Sequence, residues 1–296
     1  MRRPGETSEL KYGLIAVGAF AATLPLTRIA LDAFPPMPLT FGRLLGAAIA
    51  AMLCLKWAGA RFPRRDQLPG LLLVALGGVF GFPLLTAVAL DGHAAAPAAI
   101  PLALMPLSTA AWSRLRGHDL PSPAFWFWAL AGSGLVLHFV WQAGATLATP
   151  ELCVAGLAAS IAYAEGGRLA RDMPGWQVMA WALVMAAPLV AFGFGATWSA
   201  VTLPSTVTPW LALAFLALVS QFGAFWFWYR ALASGVARAS QLQLLQPFLT
   251  LVLAAALLGE PIPPTLWLYG AAVAVTVQLA RSRKQRPLRA AEESNS

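Results

Sequence analysis

Charge is what this sequence has least of: Asp, Glu, Lys and Arg make up 11% of its 296 residues, against about a quarter in an ordinary soluble domain. A chain so poor in charge cannot cover a surface that mostly faces water, which excludes a soluble enzyme and a disordered protein. Cysteine is nearly absent too. Cys54 and Cys153 both lie inside apolar stretches, so they read as packing residues and exclude a disulfide-built secreted scaffold. His93 and His138 have no third ligand at useful spacing, and no metal or other cofactor is expected. No Walker A sequence is present to drive pumping with ATP, and no His-Glu-x-x-His, Gly-x-Ser-x-Gly or paired Asp-x-x-Asp cluster marks an enzyme. A cleavage site is missing after the basic start Met1-Arg2-Arg3, so the apolar stretch from Tyr12 to Leu31 reads as a retained first helix.

Apolar length is what the chain has instead. Its mean hydropathy is +0.68, and Leu68–Leu90, Leu120–Pro150, Met173–Tyr229, Ala239–Gly259 and Pro261–Ala280 carry no charge. Each run matches or exceeds the roughly 20 residues that span a bilayer core. They are rich in Ala and Leu and lack period-2 alternation, which excludes a barrel of strands. Proline, glycine and charge breaks divide the sequence into ten expected helices: 12–31, 37–57, 68–90, 93–113, 122–142, 151–170, 175–197, 209–231, 237–258 and 263–281. The fold class read from this pattern is an all-α polytopic membrane protein. Its partners are then the lipid bilayer and a small-molecule substrate.

The net charge of +8 would point to nucleic acid in a soluble protein. Here the basic residues sit in short segments between apolar runs, so no nucleic-acid partner is expected and they act as orientation signals. With ten helices, 18 of the 20 Lys and Arg fall on one side, and the opposite side keeps little more than Arg28 and Arg43. Cytoplasmic loops hold the basic excess, which places both termini in the cytoplasm of a cell-membrane protein. Residues 1–11 then form an N-terminal segment and 282–296 a cytoplasmic tail. Tyr12, Trp57, Trp112, Trp126, Trp141, Trp176, Trp198, Trp210 and Trp267 fall near expected helix ends, as interfacial anchors do.

The two halves, 12–142 and 150–281, resemble each other. Phe80-Gly81 and Phe222-Gly223 are 142 residues apart, and each precedes an Ala-Leu pair. Pro106 and Pro247 are 141 apart, with Thr109 and Thr250 three residues further on, and Asp119 and Glu260 share that spacing. Arg28-x-x-x-Asp32 recurs as Arg168-x-x-x-Asp172. Five helices per half is an odd number, so the second half must be inverted relative to the first. Inverted repeats typify secondary transporters, with substrate bound near the midplane between the halves.

Tyr229-Arg230-Ala231-Leu232, Ala239-Ser240, Gln246-Pro247 and Leu257-Leu258-Gly259-Glu260 together form a pattern. With Arg43 early in the second helix and Tyr163 with Arg168 at the end of the sixth, it resembles the drug/metabolite transporter superfamily, specifically its ten-helix EamA-type members. Gly117-His118-Asp119 departs from the usual Gly-Glu that closes the first repeat, and no tryptophan stands in the middle of helix one. The resemblance implies a multi-pass carrier of small metabolites, an exporter of amino acids or related amphiphilic compounds. It also implies a central cavity lined by helices 1, 3, 4, 6, 8 and 9.

Several polar residues in apolar surroundings are candidates for that cavity. Gln243, Gln246 and Thr250 are spaced i, i+3, i+7 and share one helix face. Pro247 beside them removes a backbone hydrogen bond and is expected to free the carbonyl of Gln243. Such a stripe lines a hydrated space or glues helices together. Pro106 with Thr109 is the counterpart in the first half, and the two prolines are the expected hinges. Gln221, Phe225 and Trp228 share one face of helix eight, and Ser160 and Tyr163 one face of helix six, an aromatic wall or ordinary packing. Glu165 reads either as a proton-coupling carboxylate or as an interfacial acid paired with Arg168. Arg43 either attracts an anion or snorkels to the interface. Arg28 and Asp32 are expected to pair with each other. The function read from the sequence is secondary transport by alternating access, proton-coupled through Glu165; the alternative is a membrane enzyme or a non-transporting subunit.

Overall fold

The structure, a computed structural model, describes residues 6–90, 99–117, 119–142, 150–199, 201 and 203–282. Among these the regular structure is helical throughout. α1 (Glu6–Ala21) runs on through Ala22 into α2 (Thr23–Leu31), and α3 (Pro36–Trp57) follows a short turn. α4 (Leu68–Val74), a π-helical stretch Ala75–Gly81 and α5 (Phe82–Leu90) lie end to end. Then come α6 (Ala99–Leu115), α7 (Pro123–Gln142), α8 (Pro150–Leu169) and α9 (Gly175–Trp198). α10 (Thr208–Ala214) passes through a second π-helical stretch, Phe215–Gly223, into α11 (Ala224–Leu232). α12 (Val236–Ser240) passes through a 3₁₀ stretch, Gln241–Leu245, into α13 (Gln246–Leu258), and α14 (Thr265–Arg281) ends the described chain but for Ser282.

Seven of the described helical stretches are long and apolar enough to cross a membrane: Glu9–Leu31, Pro36–Trp57, Leu68–Thr86, Pro123–Gln142, Gly175–Trp198, Thr208–Leu232 and Val236–Leu258. α6 and α14 are shorter, at 17 residues each, and α8 carries Glu165 and Arg168 toward its end. Large apolar side chains stand outward from the bundle, with Leu53, Phe127, Phe192 and Leu268 between 63% and 78% exposed. In water so many exposed apolar groups would drive aggregation; hydrocarbon is the solvent they fit. The chain is a polytopic membrane protein.

Apart from the expected start at 93, which lies outside the described residues, the expected helix ends fall close to the observed ones, with one informative exception. α1 begins at Glu6 rather than Tyr12. Glu9 is fully buried there, held by Arg238 and Arg281 and by the Ser234 hydroxyl. The polar first turn therefore docks against α12 and the end of α14 instead of leading in as a tail. His93 lies outside the described residues.

The two π-helical stretches have one cause. A Cβ on Gly81 would sit 2.8 Å from the Leu76 carbonyl oxygen, and one on Gly223 would sit 3.0 Å from that of Leu218. In both, the crowded carbonyl belongs to the residue five positions back. The widened turn brings the backbone into the space a side chain would fill, so glycine ends each stretch. The Phe-Gly pairs that mark the internal repeat thus encode matching irregularities.

Close approach also sets the packing between halves. α3 packs on α9, α7 on α14, α1 on α11, and the stretch from α4 through α5 on α8. In the last pair a Cβ on Gly77 would meet the Ala158 carbonyl oxygen at 2.1 Å. The aromatic anchors divide. Trp57, Trp141 and Trp267 are 93%, 65% and 62% exposed, as interfacial residues are. Trp198 and Trp210 instead close around Phe34, and Arg230 lies over the Tyr12 ring at 4.5 Å.

Candidate functional site

Polar groups deep in a bundle must find partners or water, and they separate here into two zones. At the end of the bundle that carries the basic loops, buried carboxylates are fully engaged. Asp119 accepts hydrogen bonds from Arg171 Nη2 (3.0 Å), Ser113 Oγ (3.1 Å) and the backbone N–H of Ala237 (3.0 Å). The last contact caps the first turn of α12 from a distant part of the chain, where an acid favours the helix dipole. Glu165 accepts from Trp112 Nε1 (3.1 Å), Arg116 Nε (3.0 Å) and Arg168 Nε (3.0 Å). With Glu9, these acids knit α1, α6, α8, α12 and α14 together.

The other zone is a cavity of about 500 Å³, within the range of small-molecule sites. Its lining runs from Phe20 to Leu31 on α1 and α2, from Pro36 to Arg43 on α3, and from Gly78 to Thr86. From the second half it takes Leu152, Ala159 and Tyr163 of α8, Ser220, Gln221 and Phe225, and residues from Gln243 to Glu260. The lining reaches the helix ends remote from the basic loops at Leu31, Pro36 and Glu260, while toward those loops it stops at Tyr163, Phe225 and Gln243, so the cavity opens away from them. Its floor is aromatic. Phe20, Tyr163 and Phe225 line it, with ring centroids of Phe20 and Phe225 5.1 Å apart, and Trp228 lies beneath, 5.5 Å from Tyr163.

Proline chemistry shapes the walls. Pro25 has no N–H to offer the Ala21 carbonyl one turn back, and Thr250 Oγ1 donates to that carbonyl instead, at 3.1 Å. Thr250 therefore joins α13 to the joint between α1 and α2. Pro247 acts differently from its sequence expectation. It stands in the first turn of α13, where a missing N–H costs no helix hydrogen bond. The Gln243 carbonyl is not freed: it accepts the Gln246 N–H as the 3₁₀ stretch closes.

Across the cavity, Arg43 Nη2 donates to Gln221 Oε1 at 2.7 Å, and Gln221 Nε2 donates to the Gly78 carbonyl at 3.3 Å. This chain joins α3 to both π-helical stretches. Thr23 and Ser220 share a hydrogen bond of 2.7 Å. Nearer the mouth Arg28 pairs with Glu260 and not with Asp32, because the end of α13 brings an opposite charge from the other half.

Of the residues singled out by sequence, Gln243, Gln246, Thr250, Gln221, Tyr163 and Pro247 line the cavity. Trp228 is fully buried behind the wall. Ser160 spends its hydroxyl on the Gly156 and Met105 carbonyls, tying α8 to α6. Thr109 is fully buried in α6, and the carbonyl of Pro106 in the same helix accepts the Ser240 hydroxyl at 3.4 Å. Glu165 is not among the lining residues. Thr23, Thr86 and Ser220 line the cavity without having been picked out. Single hydroxyls in apolar helices carry no spacing signal, and only their helix phase would have found them.

Comparison with known proteins is consistent along the whole length. The sequence model of the EamA-like transporter family matches twice, over residues 7–140 and 142–281. "Uncharacterized transporter YdeK" of Bacillus subtilis (strain 168) is 40% identical over 277 residues, which cover 91% of this chain and 95% of the relative. A solved crystal structure shares the fold with a TM-score of 0.74 at 20% identity, covering 92% of this chain and 98% of that one. The paired matches and the YdeK identity lead to one statement: this chain belongs to the EamA-like transporter family.

Proposed function

We propose that the protein is a secondary transporter working by alternating access. Ten spans form two inverted five-helix repeats, 12–142 and 150–281, with both termini in the cytoplasm of a cell-membrane protein. The ion pairs at the two ends of the cavity carry this reading. Arg28 ends the first helix of one half and pairs with Glu260, which ends the fourth helix of the other. Arg171 ends the first helix of the second half and pairs with Asp119, which ends the fourth helix of the first half. Each pair joins the end of one half's first helix to the end of the other half's fourth, yet one lies exposed at the open mouth and the other has its carboxylate buried at the opposite end. An inverted repeat places one such pair at each face, and the more deeply buried pair marks the face that is shut. The matched helix contacts and the matched π-helical stretches support the same relation. Here the cavity faces outward and the cytoplasmic end is shut.

The substrate is a small metabolite with an apolar body and polar groups, of the class of amino acids and related amphiphiles, and the direction is export. Opening the cytoplasmic end requires the ion pairs there to separate. A proton on Glu165 would remove the charge that holds Arg116 and Arg168, which couples that step to a pH gradient. Glu165→Gln is expected to fold, to keep counterflow of substrate, and to lose the dependence of net flux on the gradient. Gradient dependence equal to that of the unaltered protein would remove Glu165 from coupling. The function itself is tested by purified protein in liposomes. Saturable flux of amino acids, their derivatives or organic acids is expected, and no flux above empty liposomes for any of them would favour a non-transporting subunit.

A further inference from the structure

We propose that the cavity binds substrates through an anionic group, a carboxylate or its equivalent, held by Arg43. The inference rests on the cavity's being the substrate chamber and adds the charge of what enters it. Arg43 stands at the eighth residue of α3, about 10 Å of helix from that helix's start. Its side chain does not reach back to the interface, because Nη2 is engaged by Gln221 inside the bundle. The Nε is buried and has no hydrogen-bond partner, and Arg43 makes no ion pair among the described residues. Among the described residues Glu260 is the one acid lining the cavity, and it is held by Arg28 at the mouth. Glu9, Asp119 and Glu165 are all spent at the opposite end of the bundle.

An arginine in an apolar chamber without a counter-charge is costly, and an incoming anion removes that cost. A guanidinium whose Nε lacks a partner offers the planar fork that a carboxylate or phosphate matches. Gln221 fixes the plane of that fork through its own bond to the Gly78 carbonyl. Two further atoms await partners: Thr86 Oγ1 and Gln243 Oε1 are buried without any among the described residues. Phe82, Phe139 and Phe225 supply apolar wall for the rest of the ligand. Among the described residues the lining offers no free carboxylate to an ammonium group, so within the class of amino acids and their relatives a derivative whose amine is absent or blocked fits better than a zwitterion or an amphiphilic cation.

The test uses the full-length protein in detergent with four probes of one shape: 3-phenylpropionate, its primary amide, 3-phenylpropylamine and phenylalanine. Affinity is read by thermal shift and by calorimetry. The carboxylate is expected to bind tightest. Arg43→Gln should weaken it roughly thirtyfold, the loss that follows truncation of one partner of a buried charge pair, and leave the amide nearly unchanged. Arg43→Lys keeps the charge without the fork and should retain a preference for the carboxylate over the amide. That ratio is the deciding readout, since a purely structural arginine would weaken all four probes alike. Preference for the amide, the amine or phenylalanine overturns the assignment while leaving a transporter of another substrate. Binding of none of the four overturns both the assignment and the chamber.

Discussion

Asp119→Ala should destabilise the protein by about 3–5 kcal/mol, the cost of removing one partner from a buried ion pair. The carboxylate is nearly inaccessible and takes three donors at once: Arg171, the Ser113 hydroxyl and the Ala237 backbone N–H. Alanine takes a carboxylate from Arg171 and uncaps α12 in the same stroke. Asn keeps an oxygen for the cap but no charge, so Asp119→Asn should lie between alanine and the unaltered protein. Glu260→Gln at the other end breaks a pair that is largely exposed, and exposed pairs contribute about 1 kcal/mol or less. Thermal unfolding in detergent, followed by tryptophan fluorescence, ranks the three. Equal losses at Asp119 and Glu260 would contradict the picture of one sealed and one open end.

Gly77→Ala should also be damaging, for a steric reason. Its new Cβ would lie 2.1 Å from the Ala158 carbonyl oxygen, 2.9 Å from its carbon and 3.1 Å from the Ala162 Cβ. Backbone atoms cannot rotate aside, so α8 must move away from the π-helical stretch along its length. Overpacking of this kind costs about 1–3 kcal/mol and sometimes more. Gly134→Ala, which meets nothing within 4 Å, is the control and should hold or gain stability through its better helix propensity. The same unfolding measurement separates them. A Gly77→Ala protein as stable as Gly134→Ala would show that the halves do not approach as closely as described.

Much of the architecture was legible because lipid imposes a simple rule on sequence. Helix ends followed from proline, glycine and charge, and the polar stripe of Gln243, Gln246 and Thr250 followed from helical spacing. What was not legible depended on contacts between the halves. Arg28 was expected to pair with Asp32, its neighbour one turn away, but Glu260 reaches it from a distant part of the sequence. Glu9 looked like part of a leading tail until Arg238 and Arg281 were brought beside it by other helices. Pro247 signalled an interruption correctly in position but not in kind, since local sequence does not distinguish a kinked helix from one that restarts. The Phe-Gly pairs were seen as a repeat, while the π-helical turns they permit required the backbone itself.

Alternating access requires that the chamber be reached from one face of the membrane at a time. A single cysteine at position 250, with Cys54 and Cys153 replaced by alanine, can be probed in sealed vesicles of either orientation with a membrane-impermeant maleimide. Labelling is predicted from the face opposite the basic loops and not from the face that carries them, until substrate is added and the second face gains access. A thiol unreactive from both faces, or reactive from both at once without substrate, would contradict the account.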